Sequence, residues 1–307
     1  MAAAILHSRP VFPTYPHGYV VVAGHVPWSV PNVIALVALV SAFAAARRVL
    51  IALAVPAGRA FGVALHGRAW LAPGGGGASV DWSRFGAEAY YGSVHAVLCA
   101  YACASPDLRA ELLSWASDAA PMWAVHQPAM SAALRTYLVA QIAYNAESTL
   151  AILTAFFRGP STAGRDRAML LHHAAAILLC ALCWRTHFVR VGVFVSLLHD
   201  VTDLPIDGIR LAQALGWDSA LYVAVAAALL GWPAGRLVCY PLKVIYPAIT
   251  DSQPIFDHSL RTLDPRIATI SHAMFIVPLV LLWLLHCYWY MLLLKKVSRH
   301  VRRAKVD

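Results

Sequence analysis

The feature that most constrains this chain is a recurring run of apolar residues, each about 20 long, separated by short polar stretches. A helix rises about 1.5 Å per residue, so about 20 residues cross a hydrocarbon core of about 30 Å. Inside lipid only such a segment satisfies its own backbone groups. Seven runs are legible, at 30–55, 86–104, 134–157, 168–184, 188–206, 221–240 and 270–294. Composition agrees: 60% of the 307 residues are apolar and 13% are charged, where a soluble domain carries roughly twice that charged fraction. The expected fold is therefore all-α, a polytopic helical membrane protein of about seven transmembrane helices. It should occupy 30–294, between an N-terminal segment 1–29 and a basic tail 295–307.

Charge sets the expected orientation. The net charge is +9, but much of the excess follows the last apolar run directly, in Lys295, Lys296, Arg299, Arg302, Arg303 and Lys305. That position suits a cytosolic flank against anionic headgroups, and no aromatic-basic module accompanies it, which excludes nucleic acid as a partner. Seven crossings then place segment 1–29 in the lumen or outside. Arg59, Arg68 and Arg84 in the first loop and Arg158, Arg165 and Arg167 in the third agree with a cytosolic placement. The second loop is acidic, with Asp107, Glu111 and Asp118 against Arg109, and should be lumenal. No cleavable leader is expected, because Pro10, Pro13, Pro16 and Pro27 break the first 28 residues. Five of the six cysteines lie inside apolar runs and Cys239 at the end of one; they read as small buried groups.

An ionisable side chain at mid-depth costs about 2.5–3.5 kcal/mol, so each needs a reason. The densest set lies in the fourth and fifth runs, as His172-His173 and as His199-Asp200-Val-Thr202-Asp203, continuing to Asp207. Antiparallel neighbours would bring both groups to similar depth near the cytosolic side. His199, Asp203 and Asp207 are spaced i, i+4, i+8 and share one helix face, with Asp200 beside them. A carboxylate next to an imidazole fixes its tautomer and raises its basicity, which suits a general base or nucleophile. Bridging between helices and metal ligation compete with this reading; against metal, the repeated histidine boxes of membrane di-iron hydroxylases are missing. Asn145 and Glu147 lie mid-way along the third run, where Glu147 should face a cavity or pair with His or Arg. His95 and His286 stand singly on apolar faces, as structural histidines do more often than not.

The stretch from His172 to Arg210 resembles the signature of TLC-domain membrane proteins, in particular their ceramide synthase branch. The parts are His172-His173, Arg190-Val-Gly192, His199-Asp200-Val-Thr202-Asp203, and then Asp207 and Arg210, where the family usually has Glu and Lys. Arg236-Leu-Val with Pro241, Trp283-Leu-Leu-His286-Cys-Tyr-Trp289 and the Pro56–Gly62 stretch are similar to further family segments. Arg165-Asp166-Arg167 stands where the family usually has R-K-D. The resemblance implies N-acylation of a sphingoid long-chain base by fatty acyl-CoA, giving (dihydro)ceramide in the endoplasmic reticulum membrane. It implies catalytic roles for His172, His173, His199, Asp200 and Asp203. It implies substrate contacts for Asn145, Glu147, Asp207, Arg210, Arg236, His286 and Trp289, with no metal and no cofactor beyond the acyl-CoA co-substrate. A homo- or hetero-dimer is compatible with it, and the Arg303 and Lys305 ending resembles a dibasic retrieval signal. The alternative it leaves is a non-catalytic TLC-domain protein that binds, senses or escorts lipid.

Overall fold

The computed structural model describes residues 30–123, 131–158, 163–185, 188–250 and 265–303, and within them the secondary structure is helical throughout. Segment 1–29 and the tail's last residues, Lys305 included, lie outside the described residues. The helices are α1 (Val30–His66), α2 (Trp82–Ala104), α3 (Pro106–Ser117), α4 (Ala120–Trp123), α5 (Ala132–Arg158), α6 (Ala163–Arg185), α7 (Val189–Leu215), α8 (Asp218–Trp232), α9 (Tyr246–Thr250) and α10 (Pro265–Arg303). Two π-helical stretches, Pro233–Cys239 and Pro241–Ile245, join α8 to α9 in one rod from Asp218 to Thr250.

Four stretches among the described residues are long and apolar enough to cross a membrane: Val33–His66, Arg167–Trp184, Asp218–Thr250 and His272–Arg299. The runs read at 86–104, 134–157 and 188–206 lie on α2, α5 and α7. At 23, 27 and 27 residues these helices have the length, but they carry most of the polar groups that face inward. Composition thus certifies the outer helices and passes over the inner ones.

Two boundaries differ from the sequence reading. The first run is read to 55, yet α1 continues to His66, and Arg47 within it turns into the bundle to acidic and phenolic partners described below. The fifth run stops at 206 on paper, where Asp207 and Arg210 end the apolar pattern. In the structure α7 passes Pro205 and continues to Leu215. It ends at Gly216, whose φ of 63° is the left-handed conformation that glycine adopts without penalty. There the Trp217 N–H closes on the Ala212 carbonyl at 3.0 Å.

α7 is the axle of the bundle, packed against α2, α5, α6 and α8. Its first turns bury Val189, Val191, Val193 and Phe194 together with Arg190, which pairs with Glu111 of α3 at 2.6 Å, and its later turns bury Asp200, Thr202 and Asp207. The first π-helical stretch approaches it closely at Gly235, where an added Cβ would stand 2.8 Å from the Thr202 methyl. The acidic second loop also folds into structure. Pro106 opens α3 and Asp107 sits in its first turn, both favourable at a helix start, and Leu108 and Trp115 are buried beneath it.

Candidate active site

A cavity of about 1230 Å³ runs between α2, α5, α6, α7, α8 and α10. Arg84, Arg210 and Lys296 line one end of it, and Leu179, Cys183, Val191 and Phe275 line the other. Between them stands a cluster of imidazoles. His172 on α6 lies 5.6 Å from His199 on α7 by ring centroids, and His199 lies 4.7 Å from His286 on α10. Trp289, one turn beyond His286, meets His172 edge-on at 5.3 Å.

Hydrogen bonding fixes the neutral tautomers. A carbonyl only accepts, so His199 Nδ1 donates to the Val195 oxygen at 2.7 Å. His199 Nε2 is then the acceptor in its 2.8 Å contact with His286 Nε2, which donates. That leaves His286 Nδ1 with a lone pair, and it is buried without a partner, as is His172 Nδ1. Buried polar atoms are almost always bonded, and an exception calls for a functional account. His173, next in sequence, differs: its Nδ1 donates to Asn145 Oδ1 at 3.0 Å. Asn145 is itself held by the Gln141 carbonyl at 2.8 Å.

The α7 face that helical spacing assembles is real, but each member has a different partner. Asp203 receives Arg236 Nη2 at 2.6 Å. Asp207 receives His95 Nδ1 at 2.7 Å, and the Tyr144 hydroxyl closes the other ring nitrogen at 3.1 Å. Arg236 comes from the first π-helical stretch, which widens the turn so that its guanidinium also reaches Thr202 Oγ1 at 2.7 Å and the His199 carbonyl at 3.0 Å. π-bulges of this kind recur at functional sites. The chain thereby clamps both ends of the His199–Asp203 turn.

Two expected contacts differ, and of the two places open to Glu147 the structure takes the ion pair with arginine. Asp200 does not touch His199; about 100° round the helix, it accepts from Tyr137 and Gln141 of α5, each at 2.5 Å. No carboxylate among the described residues hydrogen-bonds His172, His173 or His199; the imidazole–carboxylate pair in the cavity wall is His95–Asp207. Glu147 does not line the cavity: it pairs with Arg47 at 2.6 and 3.0 Å and accepts from Tyr90 at 3.1 Å. Arg210 lies at the mouth and binds Glu88 at 2.7 Å.

The profile of the TLC domain matches residues 81–295, more than two thirds of the chain. The chain belongs to the TLC-domain family. Curated relatives agree at lower resolution. "Ceramide synthase hyl-2" of Caenorhabditis elegans is 27% identical over 139 residues, 45% of this chain and 42% of that protein. "Ceramide synthase 4" of Mus musculus is 28% identical over 144 residues, 46% of this chain and 33% of its own length. "Ceramide synthase 1 LOH3" of Arabidopsis thaliana is 25% identical over 137 residues, 44% of each chain. These matches span under half of each relative.

The TLC domain as matched starts at Asp81, whose carboxylate caps α2 by accepting from the Arg84 N–H at 3.0 Å. It contains every cavity residue named above except Lys296, which stands one position past its end in the last turns of α10. α1 lies before it, yet supplies Arg47. Sequence reasoning missed Tyr137, Gln141 and Tyr144 as polar partners and placed His95 among structural histidines. A signal was present for the first two, since Tyr137, Gln141, Asn145 and Ser148 fall at helical spacing on one face of an apolar run.

The ring nitrogens of His172, His199 and His286 lie within 4.8 Å of one another, a disposition that three ligands of one metal ion could adopt. The surrounding charge suits proton chemistry better. Arg236 already brings a cation to His199, and Asp203, the carboxylate on that face, is spent on it. A divalent ion there would add charge to a buried site without an anion to balance it.

Proposed function

We propose that this TLC-domain protein is a ceramide synthase, an acyltransferase that joins a fatty acyl group from acyl-CoA to the amine of a sphingoid long-chain base. The observation that carries the reading is the pair of unpartnered, buried imidazole nitrogens on His172 and His286. They stand between an apolar cavity end and a mouth where Arg84, Arg210 and Lys296 outnumber the carboxylates of Asp81 and Glu88. Acyl-CoA is an anion with a hydrocarbon tail; the mouth attracts the one and the far end accepts the other. The names of the curated relatives support the same chemistry.

In the reaction the substrate nitrogen bonds to the thioester carbonyl carbon and the carbon–sulfur bond breaks. The amine loses one proton and coenzyme A leaves as the thiol, so one group must take the proton and return it to sulfur. His172 suits that task, because its unpartnered Nδ1 accepts when the ring carries its proton on Nε2, and the adjacent His199–His286 pair can share a positive charge. The same nitrogen could instead take the acyl group first and pass it to the amine. Trp289 packs on the His172 ring and limits its rotation, and Asn145 does the same for His173. Arg236 fixes the backbone at His199.

Around this chemistry we place seven crossings, α2, α5 and α7 completing the four apolar ones. The N-terminus is then lumenal and the C-terminus cytosolic, in the endoplasmic reticulum membrane, with the mouth at Arg84, Arg210 and Lys296 facing cytosolic acyl-CoA. Purified protein given palmitoyl-CoA and sphinganine should form dihydroceramide and release free thiol in equal amounts. Binding of either lipid without product would return the protein to the lipid-sensing alternative. A C-terminal tag should be clipped by protease in intact microsomes; protection until detergent is added would overturn the orientation.

A further inference from the structure

The cavity has a floor, and its depth can be counted in residues along three separate helices. On α6 the lining positions run from His172 to Cys183, and on α10 from His286 back to Phe275. Each is eleven residues, about 16.5 Å of helix rise. On α7 they run from His199 back to Val191, eight residues, or about 12 Å. Past the cluster the lining turns mostly apolar: Leu179, Cys183, Val191, Leu279 and Phe275 line this part, with Ser196 on α7 among them.

The end is closed. Phe275, Leu279 and Val191 are each only 1% exposed, so among the described residues this end is covered. Phe275 rests on Phe188 with ring centroids 5.8 Å apart and on Trp123 at 6.3 Å. Phe188 packs on Trp123 in turn at 5.5 Å. Three aromatic rings from α4, the start of α7 and α10 thus plug the deep end. Rings of this size, locked on one another, yield less than aliphatic side chains do.

We infer that Phe275 and its two aromatic neighbours set the longest acyl chain this enzyme accepts, and that the limit falls at ordinary membrane-lipid length. This rests on the acyltransferase reading above. A carbonyl held at His172 leaves about 16.5 Å for the tail, close to the ~15 Å that one leaflet contributes to a ~30 Å hydrocarbon core. Palmitoyl and stearoyl chains, longer than this when extended, fill such a leaflet with the bends that fluid tails carry, and the same bends fit them to this depth. A lignoceroyl chain is half as long again and meets the plug. The total volume exceeds the range of about 300–1,000 Å³ usual for single small-molecule pockets, which leaves room for the second substrate's chain nearer the mouth.

The wild-type protein gives the first test. Purified and assayed with sphinganine, it should use palmitoyl- or stearoyl-CoA at least about tenfold better in kcat/KM than lignoceroyl-CoA, since a misfit in an apolar pocket costs at least that much. Phe275→Ala should move the optimum towards longer chains and raise lignoceroyl transfer relative to palmitoyl by about tenfold. Leu282→Trp, one turn below His286, should move it towards myristoyl-CoA and shorter. Comparing acyl-CoAs within each variant cancels differences in the folded fraction. A lignoceroyl preference in the wild type, or a chain-length profile unchanged in both variants, would overturn the floor while leaving the acyltransferase intact. Absence of transfer from every acyl-CoA would instead sink the proposed function itself.

Discussion

Two buried polar clusters occupy the same bundle and are built on opposite terms. At the α1–α2–α5 junction, Arg47 meets Glu147 through two hydrogen bonds, Tyr90 adds a third contact to the same carboxylate, and the guanidinium lies 4.5 Å from the Tyr90 ring centre. Charge and hydrogen-bonding capacity balance there, and Arg47, Tyr90 and Glu147 lie outside the lining of the imidazole cavity. At the α6–α7–α10 junction, three imidazoles crowd together, no carboxylate among the described residues binds them, and two ring nitrogens have no partner there. Both clusters cost free energy to bury. The first recovers it through its own contacts. The second stays incomplete, and completing it is what a substrate can do.

The comparison breaks most sharply at the histidines. His172→Ala and His199→Ala should each lower acyl transfer by at least about 10²-fold, the scale of losing a general base. His173→Ala and Asp203→Ala should fall in the same direction, through the support each gives to the cluster. Melting temperatures should stay near the wild type for His172→Ala, because that substitution removes an unpaired atom rather than a bonded one. Full turnover in the His172 and His173 variants alike would remove the incomplete cluster from the chemistry.

The sequence made much of this legible, for a physical reason: lipid forces long apolar runs, and a charge inside one must be answered. His199, Asp203 and Asp207 share a face because the helix repeats every 3.6 residues, and the structure keeps them there. Their partners were not legible. Asp207 meets His95 across 112 residues and Arg47 meets Glu147 across 100, and no local pattern encodes which helices become neighbours. Asp200 shows the limit of adjacency: next to His199 in the chain, it faces α5. The π-helical stretch that delivers Arg236 was also hidden, since Pro233 and Pro241 mark an irregular helix without stating its width. His286 and Trp289 came from family resemblance rather than from any periodicity.

The satisfied cluster offers the complementary break. Glu147→Ala strands the Arg47 guanidinium inside the bundle, and Arg47→Ala strands the carboxylate. Either change should cost about 3–5 kcal/mol of stability, the usual penalty for removing one half of a buried pair. Thermal unfolding in detergent or nanodiscs would read it as a lowered melting temperature. Turnover per folded molecule should change far less than in the histidine variants. A large loss of turnover with an unchanged melting temperature would place Glu147 in contact with substrate, as the sequence alone allowed.

The smallest expected effect is the most pointed, because it asks what completes the open cluster. Zinc bound by three histidines keeps each ligand nitrogen about 2.0–2.1 Å from the metal and leaves a fourth position for water or substrate. His199 Nε2 and His286 Nε2 already share a proton across 2.8 Å, and a metal would have to displace that proton and push the rings apart. It would do so beside Arg236, whose charge Asp203 already answers. Proton transfer needs none of this rearrangement. Prolonged treatment with EDTA and phenanthroline should therefore leave dihydroceramide formation unchanged, and metal analysis of the purified protein should find no stoichiometric zinc or iron. Stoichiometric metal, with activity lost on its removal and restored on its return, would make His172, His199 and His286 ligands. The two unpartnered nitrogens would then mark a coordination shell rather than a base awaiting its substrate.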